Sequence, residues 1–168
     1  YNYHMKIKSD RNMNIKSFNS SDVIYLITPD RFSNGDKSND KFSSLREKKI
    51  NRRKPSSRHG GDIQGIIDHL DYIDEMGFTA IWSTPMLEND MKELSYHGYS
   101  ITDHYKIDPR MGTNKLYQQL SKKANTKGIK LIKDVVLNHV GSNHWWMTDL
   151  PTEDWINNAN VYKNTTHN

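Results

Sequence analysis

The stretch DVVLNHVGSNHWW, Asp134–Trp146, begins with strand character and ends in polar and aromatic residues. Side chains alternate along a strand, so Asp134, Val136 and Asn138 share one face and Val135 and Leu137 take the other. Asp134 and Asn138 then line the inside at the strand's exit, and His139 opens the loop. A carboxylate, an amide and an imidazole at the end of a strand form either a satisfied structural network or the floor of a site. For one strand alone the structural network is the better reading, so the neighbouring segments decide.

Working outward, Ile129–Leu137 reads as a third strand, preceded by a helix over Asn114–Thr126 that aligns Leu116, Leu120 and Ala124. Thr113 is its cap and Gly128 its stop. Upstream, TAIWST (Thr79–Thr84) is a second strand ended by Pro85, and VIYLIT (Val23–Thr28) a first strand ended by Pro29. The first strand's unbroken apolar run predicts burial on both faces, as in a parallel sheet. A helix over Ile63–Met76 places Ile66, Leu70 and Ile73 on one face beside Ile67, with Asp62 as cap and Gly77 as stop. Residues 30–61 and 86–112 read as long loops. Strands alternating with amphipathic helices predict right-handed βαβ units. Long loops after the strands and short turns after the helices mark an α/β fold that builds its site at the carboxyl ends of its strands.

Composition narrows the function. The hydrophobic fraction of 34% is low, yet four Trp and nine Tyr argue against disorder. The formal net charge is +4, and Arg46–Arg58 holds seven Lys or Arg against one Glu. No aromatics interleave with that run, so it reads as a solvated loop and nucleic acid is not the expected partner. Absence of Cys excludes disulfides, thiolate metal sites and thiol nucleophiles. No run of eighteen apolar residues occurs, so no membrane span is expected. Neither GxGxxG nor GxxxxGK[ST] follows a strand, and no HExxH occurs. The N-terminal YNYHMKIKSD lacks a signal pattern and does not begin with Met, so residues 1–21 read as a linker from an upstream segment. A periplasmic or secreted setting is favoured over a cytoplasmic one.

Two loops carry chemistry. YHGYSITDHYKIDPRMGT, Tyr96–Thr113, brings Tyr96, His97, Tyr99 and Tyr105 around a Gly. Flat rings beside imidazole donors suit sugars, whose C–H faces stack and whose hydroxyl rims need partners. Packing of the loop by tyrosine explains the composition equally well. DRFSNGDKSND, Asp30–Asp40, supplies Asn34, Asp36, Asn39 and Asp40 as hard oxygen donors around Gly35. That suits calcium, with Gly60 and Asp62 able to join, although the EF-hand spacing is absent. Asx-turn chemistry accounts for the same composition, and Asp62 reads as helix cap or metal ligand.

Four segments together resemble the α-amylase family of glycoside hydrolases, and its neopullulanase and cyclomaltodextrinase branch most closely. DVIYLITPDRFSNGDKSND is similar to that branch's opening strand and calcium loop. GGDIQGIIDHLDYIDEMGFTAIWSTP is similar to its first helix and second strand. YHGYSITDHYKIDPRMGT resembles the segment with its sugar-stacking tyrosine, and DVVLNHVG its first conserved region. The resemblance implies the N-terminal portion, the first three strands, of a (β/α)8 TIM barrel over residues 22–140. It also implies the start of a protruding domain B over 141–168, in which Trp145 and Trp146 pack.

The resemblance also implies roles. Tyr99 stacks on the sugar before the scissile bond, and His97 and His139 bond that sugar's hydroxyls. Asp134 positions an Arg from a later strand, and Asn138 supports the site. Calcium sits with Asn34, Asp36, Asn39, Asp40, Gly60 and Asp62. The partners are an α-glucan oligosaccharide or polysaccharide and the remainder of the barrel. The family's nucleophile Asp, acid/base Glu and third Asp are expected beyond Asn168, so no catalytic residue is assigned within this chain. That makes the chain, inactive by itself, part of a retaining hydrolase of α-1,4 or α-1,6 glucosidic bonds. The alternatives are a related glucan transferase or a noncatalytic sugar- or calcium-binding remnant.

Overall fold

The computed structural model describes residues 18–158 and Val161. Most of the expected linker, residues 1–17, and most of the end of the expected domain B therefore lie outside the described residues. In chain order the elements are β1 (Ile24–Ile27), α1 (Pro29–Phe32), α2 (Ile63–Asp68), α3 (Leu70–Glu75), β2 (Ala80–Ser83), β3 (Leu87–Glu88), β4 (Asp103–Ile107), α4 (Asn114–Thr126) and β5 (Lys130–Lys133). Short 3-10 turns lie at Lys37–Asn39, Ser95–His97 and Trp145–Met147.

The three expected strands pair in parallel in the order β1-β2-β5, with Tyr25, Ile81 and Leu131 aligned in one row and Leu26, Trp82 and Ile132 in the next. The first row packs on the helices. Ile66, Ile73, Leu120 and Ala124 are sealed there with Ile27 and Ile81, each large aliphatic group contributing about 1.5–3 kcal/mol by leaving water. Tyr25 stacks on Phe78 with ring centroids 4.6 Å apart. The second row is open, with Leu26 56% and Trp82 40% exposed. Burial of the first strand on both faces is therefore corrected: helices cover one face, and among the described residues nothing covers the other.

The helices follow their caps. Thr113 Oγ1 accepts the Leu116 N–H and starts α4, a bond worth about 1 kcal/mol. Asp62 accepts the Gly65 N–H and starts α2. The single helix expected over Ile63–Met76 is instead two, broken at His69. Its ring nitrogen Nδ1 lies 2.8 Å from the Gly65 carbonyl, the usual acceptor of the His69 N–H, which turns to Ile66 O instead. Gly77 and Gly128, with φ of 82° and 72°, end the helices in the left-handed conformation that glycine adopts without strain.

Two further expectations are corrected. The third strand stops at Lys133 rather than Leu137, because its neighbour β2 ends at Ser83 and leaves residues 134–137 without a ladder partner. The phase of the alternation shifts there: Leu131 packs on the core, yet five residues on Val136 is buried, between Val135 at 51% and Leu137 at 90% exposed. The loop expected over 86–112 contains the antiparallel pair β3 and β4, which lays Leu87 and Ile107 onto the core. Its polar sequence, DHYKI in β4, hid a strand whose pairing is irregular. Loop 30–61 is otherwise as expected, apart from α1 and the turn at Lys37–Asn39.

The basic run is only partly solvated. Arg58 is 1% exposed, with Nε 3.7 Å from Asp30. Arg110, equally buried, grips Asp108 through Nε and Nη2 at 2.8 and 2.6 Å. Burial and the neighbouring Arg110 charge pull the Arg58 guanidinium below its usual range. No helix among the described residues is long and apolar enough to cross a membrane.

Candidate functional site

Beyond the carboxyl ends of β2 and β5, the sugar-reading residues expected from sequence come together. Pro85 turns the chain out of β2, and Gly98 follows the Ser95–His97 turn with φ of 84°. A Cβ on Gly98 would lie 1.9 Å from Pro85 O, so glycine lets this turn sit directly on the end of the strand. Tyr99 then donates its hydroxyl to Asp134 Oδ2 at 3.0 Å. Trp82 donates its indole N–H to the same oxygen at 3.3 Å. Burial, with the Asp134 carboxylate as partner, raises the Tyr99 phenol above its ordinary value, so the ring is neutral at physiological pH.

The two imidazoles are set as one donor and one acceptor. The Tyr99 N–H donates to His97 Nδ1 at 2.9 Å, which leaves Nε2 of the neutral ring carrying the proton. Burial holds His97 below its usual range and keeps it neutral. His139 Nε2 lies 2.9 Å from Tyr99 O, a carbonyl that only accepts, so Nδ1 of the neutral ring is left as an acceptor. Its Nδ1 makes a longer contact, 3.4 Å, to Asn138 Oδ1. His97 stacks on Tyr99 with centroids 5.9 Å apart, and Tyr99 is 38% exposed. An exposed ring flanked by a donor and an acceptor suits a sugar face with its hydroxyl rim. Asn138 is exposed and borders the group through His139. Tyr96 turns the other way, under Arg31 at 4.0 Å.

The Asn/Asp loop after β1 closes on itself. Asn34 gives its amide N–H to Asp40 Oδ1 at 2.6 Å, and Asn39 gives its own to Asp62 at 3.1 Å. The side-chain oxygens of both asparagines are buried with no partner. Gly60, with φ of 91°, lies against them: a Cβ there would meet Asp40 Oδ1 at 2.6 Å and Asn34 Nδ2 at 2.8 Å. Asp62 has other employment, accepting N–H groups from Gly35, Asp36 and Gly65 as well as the Asn39 amide. Asp36 accepts from Ser38 N and Oγ as the cap of its own turn, and those bonds hold its carboxyl below the ordinary range. Among the described residues no three His, Cys, Asp or Glu side chains gather at one point. A cation here would rest on amide and backbone oxygens beside the Asp40 carboxylate, which are hard donors of the kind calcium takes.

Further along, His144 is 2% exposed, with its Nε2 3.1 Å from His104 Nδ1, and Trp146 stacks on His104 at 5.4 Å. Trp146 also meets Trp155 edge-on at 5.3 Å. Trp145 thus packs on His144 and Trp146, and Trp146 bridges from His104 of β4 to Trp155.

The family model for the α-amylase catalytic domain matches residues 26–166. The chain belongs to the α-amylase family. It is 48% identical over 122 residues to the beta/alpha-amylase of Paenibacillus polymyxa, a match covering 73% of the chain and 10% of that protein. It is 39% identical over 128 residues to neopullulanase 2 of Thermoactinomyces vulgaris, covering 76% of the chain and 21% of that protein. The crystal structure of an Anoxybacillus α-amylase superposes with a TM-score of 0.71 at 46% identity, covering 80% of this chain and 28% of that one. The chain therefore spans about a fifth or less of these two curated relatives. Its parallel sheet and helices correspond to part of the TIM barrel of the amylase family, as the sequence implied. Relatives named neopullulanase and cyclomaltodextrinase are among those matched, in keeping with the branch read from the motifs.

Sequence reasoning missed Trp82, which holds Asp134 from the neighbouring strand. A tryptophan near the exit of TAIWST, three residues before a loop-opening Pro, was the available signal. It also missed the burial of Arg58, which closes the charged run read as solvated.

Proposed function

We propose that this chain forms the first three strands of the barrel of a retaining glycoside hydrolase. Its substrates are α-1,4-linked glucans, with α-1,6 linkages as a second target, in starch, maltodextrin, pullulan or cyclodextrin. The observation that carries the reading is the convergence of Tyr99, His97 and His139 around Asp134 at the carboxyl ends of parallel strands in an α-amylase family chain. Tyr99 stacks on a glucose face, His97 Nε2–H donates to a hydroxyl and His139 Nδ1 accepts from one. Trp82 and Tyr99 together hold the Asp134 carboxylate facing the site. The carboxylates that attack the sugar and protonate the leaving oxygen belong to later strands of the barrel. Those strands are also the partner that covers the open row of Leu26, Trp82 and Ile132.

Calcium occupies the loop after β1 in this reading, held by Asn34, Asn39, Asp40 and the Gly60 carbonyl. The two orphaned amide oxygens and the glycine cradle support it. The ion supplies charge that fixes the loop; Asp36 and Asp62 shape the loop from outside. The test is release of reducing ends from maltodextrin, pullulan and β-cyclodextrin by the full-length protein carrying this chain, with product sizes analysed. Absence of hydrolysis on all three would sink the hydrolase reading, and products longer than the substrate would replace it with glucan transfer.

A further inference from the structure

We propose that Glu47 is a positioning residue: it anchors the Ser95–His97 turn to the loop bearing the cation cradle, so that a cation in that loop tightens sugar binding at Tyr99. The inference rests on the glucan and calcium readings above. Glu47 sits in the charged run between β1 and α2, far in sequence from the sugar residues, yet both its oxygens are committed. Oε2 accepts from Ser95 Oγ at 2.8 Å and from Ser95 N at 3.1 Å. Oε1 accepts the Arg58 N–H at 3.2 Å. Ser95 is 1% exposed and opens the turn that delivers His97 and Tyr99. Leu94, just before it, is held at φ of 58°. A left-handed non-glycine residue costs roughly 1 kcal/mol or more and persists only where its surroundings over-determine it; the two hydrogen bonds from Ser95 to Glu47 are such a surrounding.

The other end of the connection reaches the cradle. Arg58, whose N–H holds Glu47, has its guanidinium beside Asp30. Asp30 in turn accepts the His59 and Gly60 N–H groups at 2.8 and 3.1 Å. Gly60 is the residue whose Cβ would fill the space between Asp40 and Asn34. A continuous set of contacts thus runs from cradle to sugar turn, through the buried Asp30, Arg58 and Ser95 and the half-buried Glu47. Arg31 makes a second link, with Nε 3.4 Å from Asp30 and its guanidinium over the Tyr96 ring. Ordering Gly60 orders Asp30 and Arg58, and Glu47 passes that order to Ser95.

The experiment compares wild type with Glu47→Gln, which keeps the shape of the side chain but turns one acceptor into a donor facing an N–H. Asp22→Asn, at the far end of the sheet, is the stability control. Amide hydrogen exchange of residues 95–99 is followed without sugar, with calcium and with chelator. Maltotetraose affinity is read in parallel from tryptophan fluorescence, and calcium binding from calorimetry, all on the full-length protein. In wild type, calcium is expected to slow exchange at 95–99 and raise sugar affinity by at least about fivefold, a modest coupling. Glu47→Gln should bind calcium as before yet lose both responses, with faster exchange at 95–99. Asp22→Asn should keep both. Unchanged exchange at 95–99 in Glu47→Gln overturns the anchoring role, whatever the sugar result. Wild type that binds calcium without slowing exchange, or binds none, overturns the coupling. Failure of wild type to bind maltotetraose counts against the glucan reading alone, since the exchange still decides Glu47.

Discussion

Tyr99 donates its hydroxyl to Asp134 Oδ2 at 3.0 Å, joining two residues 35 apart in sequence. The bond fixes the edge of the ring, His97 stacks on one side of it, and 38% of the residue is exposed. Tyr99→Phe keeps the face and removes one exposed hydrogen bond, worth about 0.5–1.5 kcal/mol at most. Tyr99→Ala removes the face. Maltotetraose affinity should fall slightly for the first and by roughly tenfold or more for the second, which corresponds to about 1.4 kcal/mol. Equal losses in a fluorescence titration would mean that the hydroxyl, not the ring, reads the sugar.

The proposed calcium reading separates ligands from supports in the loop after β1. Asp40→Ala and Asn34→Ala should abolish the rise in melting temperature that calcium gives. Asp36→Ala should lose about 0.5–2 kcal/mol as a missing cap but retain the full calcium response. Thermal melts with calcium and with chelator check this, and an Asp36 variant blind to calcium would return that carboxylate to the ligand set.

Asp22 gives a pH signature. Its hydrogen bond from Lys130, helped by the Asn19 and Thr79 donors, lowers its pKa to about 2. A carboxyl depressed in the folded state contributes stability above its unfolded value, and that contribution is lost as pH falls through about 2. Asp22→Asn should therefore melt earlier than wild type at pH 6, with the two curves merging towards pH 2. A difference that persists at pH 2 would assign the effect to packing.

His144 responds at milder acidity. Burial, then the His104 ring, lowers its pKa, against an opposing pull from Asp103. A histidine depressed in the fold contributes stability above its unfolded value near 6.5, lost as pH falls further. Acidification from pH 7 to 5 should loosen the stack of His104, His144 and Trp146, seen as a shift in tryptophan emission. His144→Gln should flatten that shift; a shift of the same size in the variant would point to another group.

The buried pair Asp108–Arg110 is the least tolerant position. Asp108→Ala strands a guanidinium that is 1% exposed, at a cost of about 3–5 kcal/mol. Soluble yield and denaturant midpoint should both drop, whereas Lys127→Ala, at an exposed ion pair with Asp71, should change little.

What could be read from sequence follows how local each signal is. The caps Asp62 and Thr113, the stops Gly77 and Gly128, and the apolar runs at Ile24–Ile27 and Ala80–Ser83 act within a few residues, and all were legible. The break at His69 was not, because it depends on a ring turning to one carbonyl. The early end of β5 depends on where a different strand stops. At the site, the types His97, Tyr99, Asp134 and His139 were visible, but their donor and acceptor assignment needs the backbone of Tyr99. Glu47 and Arg58 were invisible, since a charged loop gives no sign of which members fold inward.

The strand order β1-β2-β5 follows the direction of synthesis, and each new strand joins the edge left by the one before. Every connection inside the sheet is closed by the helices that immediately precede the incoming strand. Such a sheet can be laid down progressively as the chain leaves the ribosome, without waiting for distant sequence. The open edge of β5 and the bare row of Leu26, Trp82 and Ile132 are then exposed pairing and packing surfaces on the nascent sheet. A stalled nascent chain ending shortly after β5 should accordingly protect the amides of β1 and β2 while still being captured by a holdase.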